Sequence, residues 1–151
     1  DGWASVEYNF KESQKFFERA GPGGWNDPDM LEVGNGGLTI DEEKTHFALW
    51  ALAKAPLIIG CDLTTVRDES LAILKNKWII DVNQDPNSHQ ATCFIGCDWW
   101  SSLMRYPQVY ATTVTGGDTV AVIVNWREVP HQVFTFNFEE LGVIPSSKQK
   151  V

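Results

Sequence analysis

The chain has 151 residues and a formal net charge of −8 at pH 7, with 43% hydrophobic and 21% charged residues. These values suit one ordinary globular domain and exclude an intrinsically disordered chain. The excess of carboxylates argues against a nucleic-acid partner, which needs a basic surface, and the lack of a run of about 18 apolar residues argues against a membrane span.

Helical spacing appears close to the start of the chain. Val6, Phe10 and Phe17 recur at intervals that bring them to one side of a helix. A Gly-Pro pair at residues 21–22 is a helix terminator, so the sequence predicts that this first helix ends there.

Helix and strand patterns then alternate. A capping-box pattern at residues 39–42 predicts the start of a helix that is apolar nearly all round and runs to residue 53. The apolar run at residues 57–60 predicts a strand buried on both faces of a parallel sheet, and a third helix is predicted over residues 67–75. This order is typical of a (β/α) barrel or a doubly wound sheet, with too few units present to close a barrel.

The pattern changes after about residue 86. Side chains alternate at period two in three runs, at residues 109–113, 119–126 and 132–138. Turn residues join them at 116–118 and 129–131, and Phe134, Phe136 and Phe138 share one face of the last run. The second half is therefore predicted to be an antiparallel β unit.

Two of the three cysteines lie close together. Cys93 and Cys97 have a spacing that can close a small disulfide ring or supply half of a zinc site. The disulfide is favoured because the histidines are scattered singly and no second ligand pair exists, and it indicates an oxidising compartment. Cys61 is then interpreted as a small buried hydrophobic residue.

The tryptophans and one histidine are assigned to packing. Seven tryptophans are present, and although sugar-binding clefts use this side chain, we predict core or inter-domain packing for Trp78, Trp99, Trp100 and Trp126. His46 falls within the predicted buried helix, where a hydrogen-bonded core histidine is commoner than a ligand.

The most informative stretch is Trp-Asn-Asp-Pro-Asp-Met at residues 25–30. If the backbone is extended, Asp27 and Asp29 leave the same side with their Cα atoms about 7 Å apart. They could form the acid and nucleophile of a retaining glycosidase, whose carboxylates are about 5–5.5 Å apart. They could instead accept hydrogen bonds from sugar hydroxyls, or bond their own backbone in a proline-containing turn.

Longer motifs carry a resemblance to a known family. Residues 21–31 (Gly-Pro-Gly-Gly-Trp-Asn-Asp-Pro-Asp-Met-Leu) and 34–38 (Gly-Asn-Gly-Gly-Leu) resemble the signature of the family 27 α-galactosidases, or melibiases. Further agreement lies at residues 48–51, 55–57, 62–63 and 82–85. The match covers about the first 86 residues, while the β half agrees only in layout, and the Trp-rich stretch around the cysteines is closer to fungal members.

The resemblance implies an α/β plus all-β fold. Residues 1–86 would be the last βα units of a (β/α)8 TIM barrel, and residues 87–151 a truncated antiparallel β-sandwich domain. Catalysis in this family uses two aspartates that precede the segment matching Asp1, so the chain would lack both, and Asp27 and Asp29 would not be the catalytic pair. The family needs no metal or cofactor.

The same resemblance assigns binding residues and a substrate. Asp29 and Met30 match residues that line the galactose pocket, and Trp25 and Asp27 match residues that shape the strand end behind it. The implied reaction is retaining hydrolysis of terminal α-D-galactosyl residues in galactose-containing oligosaccharides, by a secreted protein that could be a homo-oligomer.

Several alternatives stay open at this point. A non-catalytic carbohydrate-binding protein would keep the same motif, and an α-N-acetylgalactosaminidase or β-L-arabinopyranosidase of the same family would differ in loops that this chain lacks. By itself the chain is expected to be inactive, and to expose a strand edge that promotes aggregation.

Overall fold

The structure is a computed structural model that describes residues 2–127, 129 and 133–142. The helices in this part of the chain are α1 (Trp3–Gln14), α2 (Ile40–Leu52), α3 (Asp68–Leu74), α4 (Lys77–Gln84) and α5 (Trp99–Leu103). The strands are β1 (Thr92–Ile95), β2 (Gln108–Thr113) and β3 (Thr119–Val124), and 3-10 turns occur at Phe17–Arg19 and Phe138–Leu141.

The helices largely follow the sequence patterns. The predicted capping box is confirmed, since the Thr39 hydroxyl accepts from the Glu42 N–H and the Glu42 carboxylate accepts from the Thr39 N–H. α3 confirms the predicted third helix to within a residue at each end. α1 buries Val6 and Phe10 as expected, but it ends at Gln14, and Phe17 lies 39% exposed in the following 3-10 turn.

The three strands form one antiparallel sheet in the order β1-β2-β3. β2 and β3 confirm two of the predicted strands, and their turn closes where the Val114 N–H donates to the Asp118 carbonyl at 2.9 Å. β1, α4 and α5 were not predicted from the sequence.

The prediction of a third strand at residues 132–138 is wrong for the part of that range that the structure describes. Residue 132 lies outside the described residues, residues 133–137 form no strand, and a 3-10 turn begins at Phe138. Phe134 and Phe136 still pack on one side, with their ring centroids 5.8 Å apart, against the Val109 region of β2. Side-chain alternation thus predicted that Phe134 and Phe136 share a side, whereas strand pairing depends on a partner backbone. The described part of the chain has a three-stranded sheet rather than a sandwich.

The predicted buried strand at residues 57–60 is also wrong in its burial. Ile58 is 51% exposed and Ile59 is 42% exposed, and the segment makes only an isolated parallel bridge between Leu31 and Ile59. A strand buried on both faces needs a covering layer on each side, and among the described residues only the Leu57 side packs against the core.

One core spans both halves of the chain. The Phe10 ring lies 5.0 Å from Tyr110, 6.2 Å from Trp126 and 6.3 Å from Trp50 between centroids. α1, α2 and the sheet therefore meet around Phe10. The division into two domains at residue 86 stays a prediction.

The tryptophans divide into two groups. Core packing is confirmed for Trp126, which is 2% exposed. Core packing is wrong for Trp78, Trp99 and Trp100, which are 84%, 75% and 56% exposed, and inter-domain packing of these three rings stays a prediction. Apolar character alone did not reveal which element each ring would meet.

Candidate functional site

The stretch that contains the candidate site is fixed at its start by Asn26. The Asn26 side-chain amide donates to the Phe16 carbonyl at 3.0 Å and to the Gln90 side-chain oxygen at 2.8 Å. These bonds join the stretch to the end of α1 and to the segment before β1. The position of residues 27–30 is therefore set by two separate parts of the fold.

Asp27 and Asp29 lie in a turn. The Asp29 N–H donates to Oδ1 of Asp27 at 3.0 Å, and the Met30 N–H donates to Oδ1 of Asp29 at 2.7 Å. Asp29 has φ of 85°, a left-handed conformation that Asp tolerates better than most residues. The positive φ of Asp29 shows that the backbone is not extended here. Both aspartate side chains instead accept hydrogen bonds from the local backbone, as in the predicted turn.

Asp29 and Met30 are exposed between two buried residues, Pro28 and Leu31. Only one Asp29 carboxylate oxygen is used in the turn, and Oδ2 accepts no hydrogen bond within the described part of the chain. Met30 is 48% exposed. This segment therefore offers a carboxylate oxygen and a thioether side chain from one short backbone stretch.

The four candidate residues predicted from the sequence, Trp25, Asp27, Asp29 and Met30, do not all line the same cavity. A groove of about 570 Å³ contains Asp27 and Asp29 and is lined by Asn9, Glu12, Ser13, Phe16, Asn26, Asp27, Pro28 and Asp29. Met30 is outside that lining. Trp25 lines a different cavity of about 510 Å³, where Nζ of Lys54 lies 5.4 Å from the centre of its ring.

The parallel bridge follows directly after Met30. The Leu31 N–H donates to the Ile58 carbonyl at 2.8 Å, and the Gly60 N–H donates to the Leu31 carbonyl at 3.1 Å. A Cβ at Gly60 would lie 2.7 Å from that carbonyl oxygen, so the close approach requires glycine here. The bridge holds the exposed pair next to the residue 57–60 segment.

Side chains of α2 hold the same backbone from behind. The Trp50 indole N–H donates to the Asp29 carbonyl at 2.7 Å, and the Glu32 N–H donates to Nε2 of His46 at 2.9 Å. The prediction that His46 is a buried, hydrogen-bonded core histidine is confirmed in part: Nε2 is bonded, whereas the buried Nδ1 has no hydrogen-bond partner among the described residues. Neither His46 nor Trp50 was predicted to belong to the site. The available signal was that a histidine buried in an apolar helix needs a hydrogen-bond partner elsewhere in the chain.

Burial keeps the His46 imidazole neutral. The side chain is fully buried, and desolvation lowers its pKa from the usual 6.5 to about 4, against the opposing effect of the nearby Glu43 carboxylate. A neutral ring is required, because Nε2 accepts a hydrogen bond from the Glu32 N–H.

Glu43 extends this set of bonds to α3. Its buried carboxylate accepts from the Gly34 N–H at 3.1 Å, from Nη2 of Arg67 at 2.8 Å and from the Ser70 hydroxyl at 2.6 Å. A buried carboxylate is tolerated when it is paired and hydrogen-bonded in this way. The loop after Leu31 is thereby joined to two helices.

Comparisons with known proteins show the family of this chain. Residues 1–85 match the melibiase family model described as "Alpha galactosidase A". The chain belongs to the melibiase family. It is 58% identical to "Alpha-galactosidase 3" of Arabidopsis thaliana over 86 residues, and this alignment covers 57% of this chain and 20% of that protein. It is 41% identical over 145 residues to "Probable alpha-galactosidase D" of Aspergillus terreus, covering 93% of this chain and 21% of that protein.

This melibiase chain is also similar to proteins of known structure. An α-galactosidase from Saccharomyces cerevisiae, solved with raffinose, is 34% identical with a TM-score of 0.67, covering 80% of this chain and 27% of that one. A family 27 β-L-arabinopyranosidase from Geobacillus stearothermophilus, 23% identical, has a TM-score of 0.77 over 93% of this chain and 33% of that one, which shows a shared fold. The chain spans about a fifth of the length of the curated relatives.

The melibiase chain also has the predicted disulfide. Cys93 and Cys97 are joined, which rules out their use as half of a zinc site. Cys61 is a free thiol and is half-buried against the core, close to the predicted role as a small hydrophobic residue. No helix among the described residues is long and apolar enough to cross a bilayer.

Proposed function

We propose that this chain is part of an α-galactosidase that removes terminal α-D-galactosyl residues from oligosaccharides with retention of configuration. The observation that carries the proposal is the family match over residues 1–85, which includes the whole candidate site. The full-length protein is taken here to be this chain joined to the upstream portion that its relatives possess.

We assign galactose binding to Asp29 and Met30. Oδ2 of Asp29 is an acceptor for sugar hydroxyls, and charge-assisted hydrogen bonds of this kind are stronger than neutral ones. The exposed Met30 side chain offers an apolar wall to the sugar ring. Asp27 supports the pocket through its bond to the Asp29 N–H, and Trp25 supports the start of the same segment.

The chemistry itself belongs to two aspartates outside this chain. In a retaining mechanism one carboxylate attacks the anomeric carbon, while the other protonates the leaving oxygen and later activates water. The residues of this chain bind and orient the sugar and take no proton. We therefore expect this chain alone to be inactive.

The proposal extends to the architecture and the compartment. Residues 1–86 complete a TIM barrel, and residues 87–151 begin an antiparallel β-sandwich domain. The Cys93–Cys97 disulfide supports secretion, because such bonds persist in oxidising compartments. A homo-oligomer is a further expectation from the family.

The test is an assay of the full-length protein on three p-nitrophenyl glycosides, of α-D-galactose, α-N-acetylgalactosamine and β-L-arabinopyranose. We expect the highest kcat/KM on the α-galactoside, and NMR of the first product to show the α-anomer. A higher kcat/KM on either of the other two glycosides would show instead an α-N-acetylgalactosaminidase or a β-L-arabinopyranosidase of the same family. Binding of galactose without hydrolysis of any of them would establish a carbohydrate-binding protein instead.

A further inference from the structure

Two side chains of α2 bond the backbone on either side of Met30. Trp50 donates to the Asp29 carbonyl at 2.7 Å, and His46 accepts from the Glu32 N–H at 2.9 Å. Residues four apart lie on the same face of a helix, so both side chains approach the segment from one direction. The exposed pair of the candidate site is thus held between two bonds from the core.

We infer that His46 and Trp50 are positioning residues for the proposed galactose pocket, which set the direction of the Asp29 carboxylate and the Met30 side chain through the backbone. The inference rests on the proposed function, since it concerns the same pocket. Neither side chain is placed to touch the sugar, because both are buried, with exposures of 0% for His46 and 1% for Trp50.

The left-handed backbone of Asp29 explains why these bonds are needed. A non-glycine residue with φ of 85° is strained by about 1–3 kcal/mol and persists only when its surroundings hold it. The Asp29 N–H and side chain are engaged within the turn itself, so the Trp50 bond is what fixes its carbonyl. If that bond is lost, the Asp29 peptide can rotate and the carboxylate moves with it.

The donor, Trp50, and the acceptor, His46, are themselves held in place by packing. The Trp50 ring stacks 6.3 Å from Phe10 and meets the His46 ring edge-on at 4.1 Å between centroids. α2 is fixed at its start by the Thr39 cap and along its length by the Glu43 bond to Arg67. A support that cannot move is what a binding site needs to keep its geometry within about 0.5 Å.

The test uses three changes in the full-length protein. Trp50→Phe removes the indole donor and keeps an aromatic ring, and His46→Leu removes the acceptor and keeps much of the volume. His46→Gln supplies a side-chain oxygen that can accept in place of Nε2. Phe47→Leu is the matched control, because Phe47 is buried on the same helix at 2% exposure and makes neither bond.

We expect Trp50→Phe and His46→Leu to raise KM for the α-galactoside at least about ten-fold, with kcat changed less than about three-fold, since sugar binding is weakened and the upstream aspartates are untouched. His46→Gln keeps KM within about three-fold of the wild type. Phe47→Leu lowers the melting temperature and leaves KM unchanged, because partial unfolding reduces the active fraction and hence only the apparent kcat.

Hydrogen–deuterium exchange of the peptide that contains residues 30–34 gives a readout independent of activity. We expect faster exchange in Trp50→Phe and His46→Leu than in Phe47→Leu at equal loss of melting temperature. Unchanged KM in both variants, or exchange no faster than in the control, would overturn the inference. A wild type that hydrolyses no galactoside would overturn the proposed function alone, and the exchange comparison would then decide whether α2 positions the segment.

Discussion

The two carboxylate oxygens of Asp29 have different environments, since Oδ1 accepts from the Met30 N–H and Oδ2 accepts no hydrogen bond from the described residues. Asp29→Asn keeps an oxygen for the turn and tolerates the left-handed backbone, but it removes the charge. We expect kcat/KM of the full-length protein on an α-galactoside to fall about 100-fold, as loss of a charged hydrogen bond of up to about 3 kcal/mol implies. The melting temperature should change little.

A second variant, Asp29→Ala, distinguishes the role of Asp29 in sugar binding from its role in the turn. Asp29→Ala loses the turn bond as well and places alanine at φ of 85°, so it should lose the same activity and also some stability. Normal kcat/KM in Asp29→Asn would remove Asp29 from the sugar site, whatever Asp29→Ala does.

His46 predicts a pH dependence of stability. Its folded pKa of about 4 lies below the usual 6.5, so between these values the unfolded chain binds a proton that the folded chain does not. Stability is therefore complete above pH 6.5 and falls toward pH 4, by about 3 kcal/mol in all. The measurement is the melting temperature from pH 7 to pH 4 for the wild type and His46→Gln. If the two proteins lose the same number of degrees, His46 does not titrate as burial requires.

At the scale of elements, the start of α2 allows a matched comparison. Thr39→Ala removes the hydroxyl that accepts from the Glu42 N–H, and loss of such a cap costs about 1 kcal/mol. Thr45→Ala makes the same substitution inside the same helix, where the Thr45 hydroxyl bonds the Asp41 carbonyl and alanine is the better helix former. We expect a lower melting temperature for Thr39→Ala only. Equal effects in both variants would show that the capping box does not stabilise α2.

The elements that sequence reasoning found are those specified by local chemistry. The capping box at Thr39, the β2–β3 turn and the short spacing of Cys93 and Cys97 each involve residues within a few positions of one another. α5 was missed because its five residues are too few to show a helical period. α4 was also missed, although its eight residues make it longer than the predicted α3.

The same distinction applies within the candidate site. Turn chemistry at Asp27 and Asp29 was one of the alternatives predicted from the sequence, and these residues are only two positions apart. The bonds from His46 and Trp50 join positions 14 and 21 residues apart, so they follow from the packing of α2 and cannot be read from spacing. The family resemblance proposed Asp29 and Met30 as binding residues but did not indicate which side chains hold them.

At the scale of the whole molecule, burial depends on what each face meets. Phe10, Trp50 and Trp126 meet one another across the two halves of the chain, so their burial agrees with their apolar character. Ile58 and Ile59 are equally apolar and remain exposed. Because the matched segment makes up only about a fifth of the length of the curated relatives, we expect the remainder of the proposed barrel to cover these residues in the full-length protein.

If the rest of the protein covers Ile59, then Ile59→Lys should have opposite effects in the 151-residue chain and in the full-length protein. Ile59→Lys adds a charge to an exposed edge in the 151-residue chain, so we expect less aggregation, measured by light scattering, than for the unmodified chain. In the full-length protein the same lysine would be buried in the barrel without a partner, and expression of folded, active enzyme should be lost. Ile59→Leu, which keeps the apolar character, should leave both behaviours unchanged. A soluble, cooperatively melting 151-residue chain, or an active full-length Ile59→Lys, would show that this edge needs no covering strand.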